Sequence, residues 1–258
     1  MGMPTLELTS KTAVVIGGTS GIGLALAKGL AQAGADVIPT GRRQDRVERA
    51  AAAIRESGRR SMIAMCDVTD PDSVNLFRDA VLREFESVQI LVNCAGITVK
   101  VPTLEVSDAD WSRVMDSNLN GTLRTCQAFG RHMIERRYGR IVNIASLASS
   151  TGFFQVGAYG ASKAGVVSLT KTLAVEWARH GVCVNAITPG VFPTDLNRAL
   201  LDGTPRGQEL LLRTPMGRFG RVEELVGAAV FLASESASFV TGHVLAVDGG
   251  FLASGVNQ

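Results

Sequence analysis

A chain of 258 residues can bury a full core as one domain spanning 1–258, and no stretch resembles a linker, repeat or low-complexity tract. The composition, 46% hydrophobic and 19% charged with 28 glycines, suits a compact fold with many tight turns and excludes disorder or a disulfide scaffold. With 26 basic against 24 acidic residues the net charge is +2, too weak a field for nucleic acid or a membrane surface, so a small-molecule partner is expected.

Short apolar runs alternate with segments of helical period, the pattern of strand-helix units on a parallel sheet. The first run is Thr12 to Ile16, followed by a glycine turn, Gly17 to Gly23, and a helix over Leu24 to Ala33 that Gly34 stops. Asp36 to Thr40 is the second strand, then a charged helix runs through Arg55 to Gly58, and Ser61 to Met65 is the third strand. Asp70-Pro71 reads as a helix start, with Asp as cap and Pro in the first turn. Further strands are expected at Gln89 to Val92, Arg140 to Ile144, Val182 to Ile187 and Val244 to Val247. Their continuous apolar character fits strands buried on both faces. The expected fold is therefore α/β: a single-domain Rossmann fold with a doubly wound, seven-stranded parallel sheet flanked by helices. Pro39 has no N–H for a central strand, so either it falls at the strand's end or the boundary shifts.

Cys66, Cys94, Cys126 and Cys183 are widely spaced and read as small buried hydrophobes, while His132, His180 and His243 are equally scattered. No metal site is expected. The N-terminus lacks a signal pattern, and no stretch approaches the roughly 18 apolar residues of a spanning helix, so a cytoplasmic protein is expected.

The run Gly17, Gly18, Thr19, Ser20, Gly21, Ile22 and Gly23 lies between a strand and a helix, the context in which such glycines cradle a pyrophosphate. Gly17 permits the sharp turn, Gly21 lets backbone approach the anion, and Gly23 lets helix pack on strand, with the helix N-terminus facing the phosphate. An acid at the end of the second strand would bind the ribose hydroxyls of NAD and repel a 2′-phosphate. Thr40-Gly41-Arg42-Arg43 stand there instead, which favours NADP(H) over NAD(H) through an arginine–phosphate pair. The alternative is that Arg42 and Arg43 open a solvated helix.

Tyr159 and Lys163 open the longest helical segment, four residues apart and on one face. A nearby ammonium favours the phenolate and brings tyrosine, ordinarily near pKa 10, toward useful proton transfer. An exposed helix pair would show the same spacing.

Together with Asp67-Val68, Asn93-Cys94-Ala95-Gly96, Asn118, Ser146, Pro189-Gly190 and Val247-Asp248-Gly249-Gly250, these motifs resemble the short-chain dehydrogenase/reductase family over essentially the whole chain. The resemblance implies that Tyr159 is the acid/base and that Ser146 hydrogen-bonds the substrate oxygen. It implies that Lys163 holds the nicotinamide ribose and lowers the tyrosine's pKa, and that Asn118 interrupts a helix and binds a water linking Lys163 to solvent. By the same likeness Asp67, with Val68, contacts adenine, and Asn93, Ala95 and Gly96 line the cofactor channel. Val191 and Thr194 hold the carboxamide after the Pro189-Gly190 turn. The chain departs from the family in having Ile16 where Thr is usual and Cys94 where a second Asn is usual; neither is expected on the hydride path.

Residues 194–213 are expected to form a substrate lid, with Arg198, Arg206 and Arg213 either pairing an anionic substrate or simply solvated. Phe153 or Phe154 either faces the ligand or packs in the core, while Trp111 and Trp177 are expected to pack. Residues 213–220, 224–234 and 239–243 look like those of gluconate 5-dehydrogenase relatives, which implies a keto-sugar acid or polyol. The same signature is shared by 3-oxoacyl-carrier-protein reductases and broad-range ketone reductases. A dinucleotide-binding redox sensor is the non-enzyme alternative, against which the intact Ser146, Tyr159 and Lys163 argue. The likeness also implies a homotetramer, with 251–258 and the helices around Trp111 and Tyr159 at subunit contacts.

Overall fold

A computed structural model describes residues 5–194, 197–255 and 257. Its single sheet is parallel throughout and runs in the order β2-β1-β3-β4-β5-β6, with β1 (Thr12–Ile16), β2 (Asp36–Thr40), β3 (Ile90–Asn93), β4 (Gly139–Ile144), β5 (Val182–Pro189) and β6 (Val244–Val247). Side chains alternate across the strands. Ala13 and Val15 therefore join one apolar core with Leu26 and Leu30 of α1 (Gly21–Gln32) and Val230 of α9 (Val226–Ala233). Val14 and Ile16 join a second core on the opposite face, with Phe77 of α3 (Pro71–Phe85), Phe129 of α5 (Gly121–Glu135) and Leu173 of α6 (Gly157–Trp177). Trp177 packs against that second core, as expected, whereas Trp111 is 38% exposed.

Among the described residues the sheet has six strands, not seven, because Ser61 to Met65 forms no ladder. The reason is Pro39. On β2 the Asp36 N–H donates inward to Lys11 and the Val37 N–H donates outward to the Arg60 carbonyl at 3.1 Å. The next outward position is Pro39, which has no N–H, so the second segment touches β2 only at its ends and through Thr40 Oγ1 to the Ala64 carbonyl, 2.6 Å. Pro39 lies inside its strand rather than at its end, which is tolerated because β2 is the sheet edge.

The first helix begins at Gly21, inside the glycine run and three residues ahead of the expected Leu24. Asp70 caps α3 as expected, its side chain accepting from the Asp72 N–H at 2.9 Å. Between β2 and α3 lies α2 (Gln44–Glu56); between β3 and α5 lies α4 (Asp108–Met115); after β5 come the short α7 (Arg198–Leu201) and α8 (Pro205–Leu212). The expected lid span 194–213 thus holds two short helices, with 195 and 196 outside the described residues.

Candidate active site

The glycine turn is built as a cradle. Gly17 has φ +76° and its N–H donates to the Thr40 carbonyl at 2.9 Å; a Cβ there would lie 2.7 Å from the Ala95 nitrogen. A Cβ on Gly23 would collide with the Gly17 carbonyl oxygen, so α1 can rest on the turn only because Gly23 lacks one. Ser20 is the N-cap of α1 but its side chain caps no N–H, which leaves the first-turn donors available to an anion. Gly21, at φ +49°, faces the Thr194 methyl across the turn. Ile16 is 2% exposed in the apolar core, packing where the family uses a threonine.

At the far end of this cradle, Arg42 and Arg43 are exposed, with Arg43 the N-cap of α2. Burial alone would raise the Asp67 carboxyl, but hydrogen bonds from the Thr69 N–H (3.0 Å) and hydroxyl (2.7 Å), with the charge of Arg42, hold it below its ordinary value. Arg42 and Asp67 therefore share one corner of the site, beside the buried Val68. The Asn93 side chain takes a different course. Its amide donates to Asn143 Oδ1 at 2.8 Å and accepts from Thr125 Oγ1 at 2.7 Å, while Asn143 donates to Thr170 Oγ1 at 2.9 Å. The side chain is thus spent in a buried network joining β3, β4, α5 and α6, and only the main chain of Asn93 remains to meet a ligand.

Ser146 follows β4 as the N-cap of a short 3₁₀ turn, its hydroxyl accepting from the Ala148 N–H at 3.2 Å. Tyr159 and Lys163 stand on the first turns of α6, with the ammonium 6.0 Å from the ring centroid. Lys163 is 4% exposed and donates to the Ile144 carbonyl at 2.7 Å, so the pair is not the exposed helix couple that spacing alone allows. Burial lowers the Lys163 ammonium to about 8. Burial also raises the Tyr159 phenol, against the lowering effect of its hydrogen bond with Ser146. This is opposite in direction to the depression expected from Lys163: desolvation is the largest cause, and the buried ammonium stands 6.0 Å from the ring centroid.

Asn118 is fully buried within a π-helical turn, Asp116–Asn120, which interrupts the path from α4 to α5 as the resemblance implies. Its amide accepts from the Ile97 N–H at 2.8 Å and donates to the Ile97 carbonyl (2.9 Å) and Ser162 Oγ (3.0 Å). Ser162 in turn donates to the Tyr159 carbonyl at 2.7 Å. Gly96 lies between these groups, since a Cβ on it would sit 3.2 Å from Asn118 Oδ1 and 3.5 Å from Lys163 Nζ. One participant, Ser162, went unread in the sequence, and another, Cys94, was expected to lie off the hydride path. Ser162 could have been found from its place three residues after Tyr159, on the same helix face. Cys94 is electrostatically coupled to both Lys163 and Tyr159, nearer the chemistry than its unusual residue type suggested, and burial pushes its thiol up to about 11.

The Pro189-Gly190 turn is held by the C-terminal motif: the Gly190 N–H donates to the Val247 carbonyl at 2.9 Å, and a Cβ on Gly190 would lie 2.6 Å from Asp248 Cα. Beyond it, Val191 packs with Phe153, Leu147, Leu201, Leu210 and Phe251 in a small apolar cluster under α7 and α8. Phe153 stacks on Phe251 with centroids 5.9 Å apart, whereas Phe154 is 76% exposed. The packing role is thus the one Phe153 fills. Arg213 lies over the Phe251 ring at 5.2 Å, Arg206 donates to the Phe154 carbonyl at 3.3 Å, and Arg198 opens α7 at the surface.

Sequence and fold both match known proteins. Residues 17–252 fit the family model described as enoyl-(acyl carrier protein) reductase, and the chain belongs to the short-chain dehydrogenase/reductase family of oxidoreductases. It is 43% identical to gluconate 5-dehydrogenase of Gluconobacter oxydans (strain 621H) over 98% of this chain and 100% of that one. It is 37% identical to 5-keto-D-gluconate 5-reductase of Escherichia coli (strain K12), over 95% of this chain and 97% of the relative. The crystal structure of a gluconate 5-dehydrogenase from Burkholderia cenocepacia J2315, in complex with NADP and tartrate, superposes with a TM-score of 0.94 at 39% identity, covering 97% of this chain and 98% of that one.

Proposed function

We infer that the chain is an NADP(H)-dependent oxidoreductase interconverting a ketone and a secondary alcohol on a keto-sugar acid or polyol. The observation that carries this reading is the meeting of Ser146, Tyr159 and Lys163 beside the glycine cradle at the carboxyl ends of β1 and β4. The names of its relatives support the sugar-acid substrate, and Arg42 beside Asp67 supports the 2′-phosphate.

The cradle fits a dinucleotide: Gly17 and Gly23 allow close main-chain approaches to Ala95 and to Gly17 that any Cβ would block, which shapes the turn, and the side chain of the α1 N-cap leaves the first-turn donors uncapped. Gly17, Thr19, Ser20, Gly21, Ile22 and Gly23 would hold the pyrophosphate, Arg42 and Arg43 the 2′-phosphate, and Asp67 and Val68 the adenine. Main chain at Asn93, with Ala95 and Gly96, would line the channel; Lys163 would hold the ribose; Pro189, Gly190, Val191 and Thr194 would frame the carboxamide. A bound nicotinamide dinucleotide supplies or accepts the hydride. Tyr159 donates the proton to the alkoxide oxygen in reduction and takes it back in oxidation. Ser146 Oγ–H is the second donor to that oxygen, stabilising its charge as it develops. Lys163 and Asn118 replenish the proton. Residues 194–213 act as the substrate lid over the cluster around Phe251.

The matching family model, described as an acyl-carrier-protein reductase, favours as second reading a 3-oxoacyl thioester or broad-range ketone substrate. Rates with NADPH and NADH against 5-keto-D-gluconate, an acetoacetyl thioester and an aryl ketone decide between them. The sugar-acid reading expects 5-keto-D-gluconate with NADPH to be fastest; a thioester preferred by tenfold or more overturns it.

We also read the chain as a cytoplasmic homotetramer. Its four cysteines are free, as in a reducing compartment, and no helix among the described residues is long and apolar enough to cross a membrane. Fully exposed Phe239 and largely exposed Val175 support burial against other copies. Light scattering expects four copies; a monomer contradicts it.

A further inference from the structure

A π turn is a strained interruption of a helix and persists only where its surroundings hold it. The turn that presents Asn118 begins at Asp116, whose Oδ1 accepts from Arg124 Nη2 at 2.7 Å and from Asn120 Nδ2 at 3.2 Å. The other arm of the same guanidinium, Nη1, donates to the Val68 carbonyl at 3.0 Å. Directly after the turn, Gly121 presses on that same residue: a Cβ on it would lie 2.7 Å from Val68 Cγ2. One half-buried arginine thus ties the start of the π turn to the Asp67-Val68 corner, and the chain leaving the turn is wedged against that corner.

We propose that Arg124 is a positioning residue for the reaction centre, locking the π turn so that Asn118 meets Ile97 and Ser162, and joining the proton-handling end of the site to the corner formed by Asp67 and Val68. The proposal rests on the reading that Asn118 serves proton transfer at Tyr159 and Lys163. If the turn relaxed to an ordinary α-turn, one residue of register would be lost, a rotation of about 100°. Asn118 would leave Ile97 and Ser162, and with them its link to the Tyr159 carbonyl. A fork donor suits this task, because two separate acceptors, a carboxylate and a carbonyl, must be held at once; a lysine satisfies one of them.

The test compares Arg124→Met, Arg124→Lys and Asp116→Asn with Asn118→Ala as reference, measuring kcat, KM for NADPH and for 5-keto-D-gluconate, the pH profile of kcat, and thermal midpoints. Arg124→Met is expected to lower kcat about tenfold or more, to move the pH profile toward that of Asn118→Ala and to raise KM for NADPH, with KM for the keto acid little changed. Arg124→Lys restores part of the kcat. Asp116→Asn lowers kcat while sparing KM for NADPH, since the Val68 bond survives, and it answers the question should Arg124→Met not fold. A fall in thermal midpoint with kcat and pH profile intact in both variants overturns the proposal. Wild-type turnover in Asn118→Ala would instead overturn the catalytic reading beneath it.

Discussion

The Lys163 ammonium donates to the Ile144 carbonyl at 2.7 Å, two residues before Ser146, so one strand end carries both the anchor of α6 and the serine that bonds Tyr159. The contact of Lys163 with the Ile144 main chain thus helps to fix Tyr159 beside Ser146, together with the close approach of Gly160 to the Ala148 carbonyl.

That burial has a stability consequence. Lys163 is lowered to about 8 from the ordinary value of 10.5. Between these values the unfolded chain binds a proton that the folded chain has released, so this group makes stability rise with pH across the window and leaves it flat below. Lys163→Met should remove that rise. Urea midpoints from pH 8 to 10.5 check it; identical slopes in both proteins would count against a buried, depressed lysine.

Gly17→Ala should cost about 1–3 kcal/mol and weaken NADPH binding, because the new Cβ meets the Ala95 backbone at 2.7 Å as well as the left-handed φ. Gly58→Ala is the control, with a similar φ of +78° but no atom within 4 Å of the added carbon. It should cost about 1 kcal/mol and leave binding alone. Equal effects of the two on NADPH affinity would show that Gly17 does not shape the cradle.

Arg42→Ala should raise KM for NADPH about tenfold and leave KM for NADH unchanged, as expected for loss of one charge-assisted phosphate contact. Equal changes for both cofactors would remove Arg42 from the 2′-phosphate site.

Most of the site was legible because its motifs are local: a glycine turn between strand and helix, a Tyr-Lys pair one turn apart, a cap at Asp70. What escaped is tertiary. The apolar run Ser61 to Met65 reads as a strand, and only the outward direction of the missing Pro39 N–H, visible once register is known, denies it a ladder. Asn93 has the residue type of a ligand contact, yet its partners Asn143 and Thr125 come from 50 and 32 residues away and take its amide into the core. The direction of the Tyr159 shift depends on desolvation, which spacing does not encode. Arg124 and Asp116, eight residues apart, face each other only because a π turn intervenes.

Phe251→Ala should raise KM for the keto substrate several-fold while sparing KM for NADPH, because Phe251 supports Phe153 and the short helices α7 and α8 rather than the cradle. Steady-state kinetics with each substrate varied in turn check it. A change confined to NADPH would place this cluster on the cofactor side.

The most direct test of the whole account is Tyr159→Phe, assayed for NADPH binding by fluorescence titration and for turnover of 5-keto-D-gluconate. The proton role predicts NADPH affinity near wild type and turnover lower by about 10²- to 10⁴-fold. Turnover within a few-fold of wild type would contradict it.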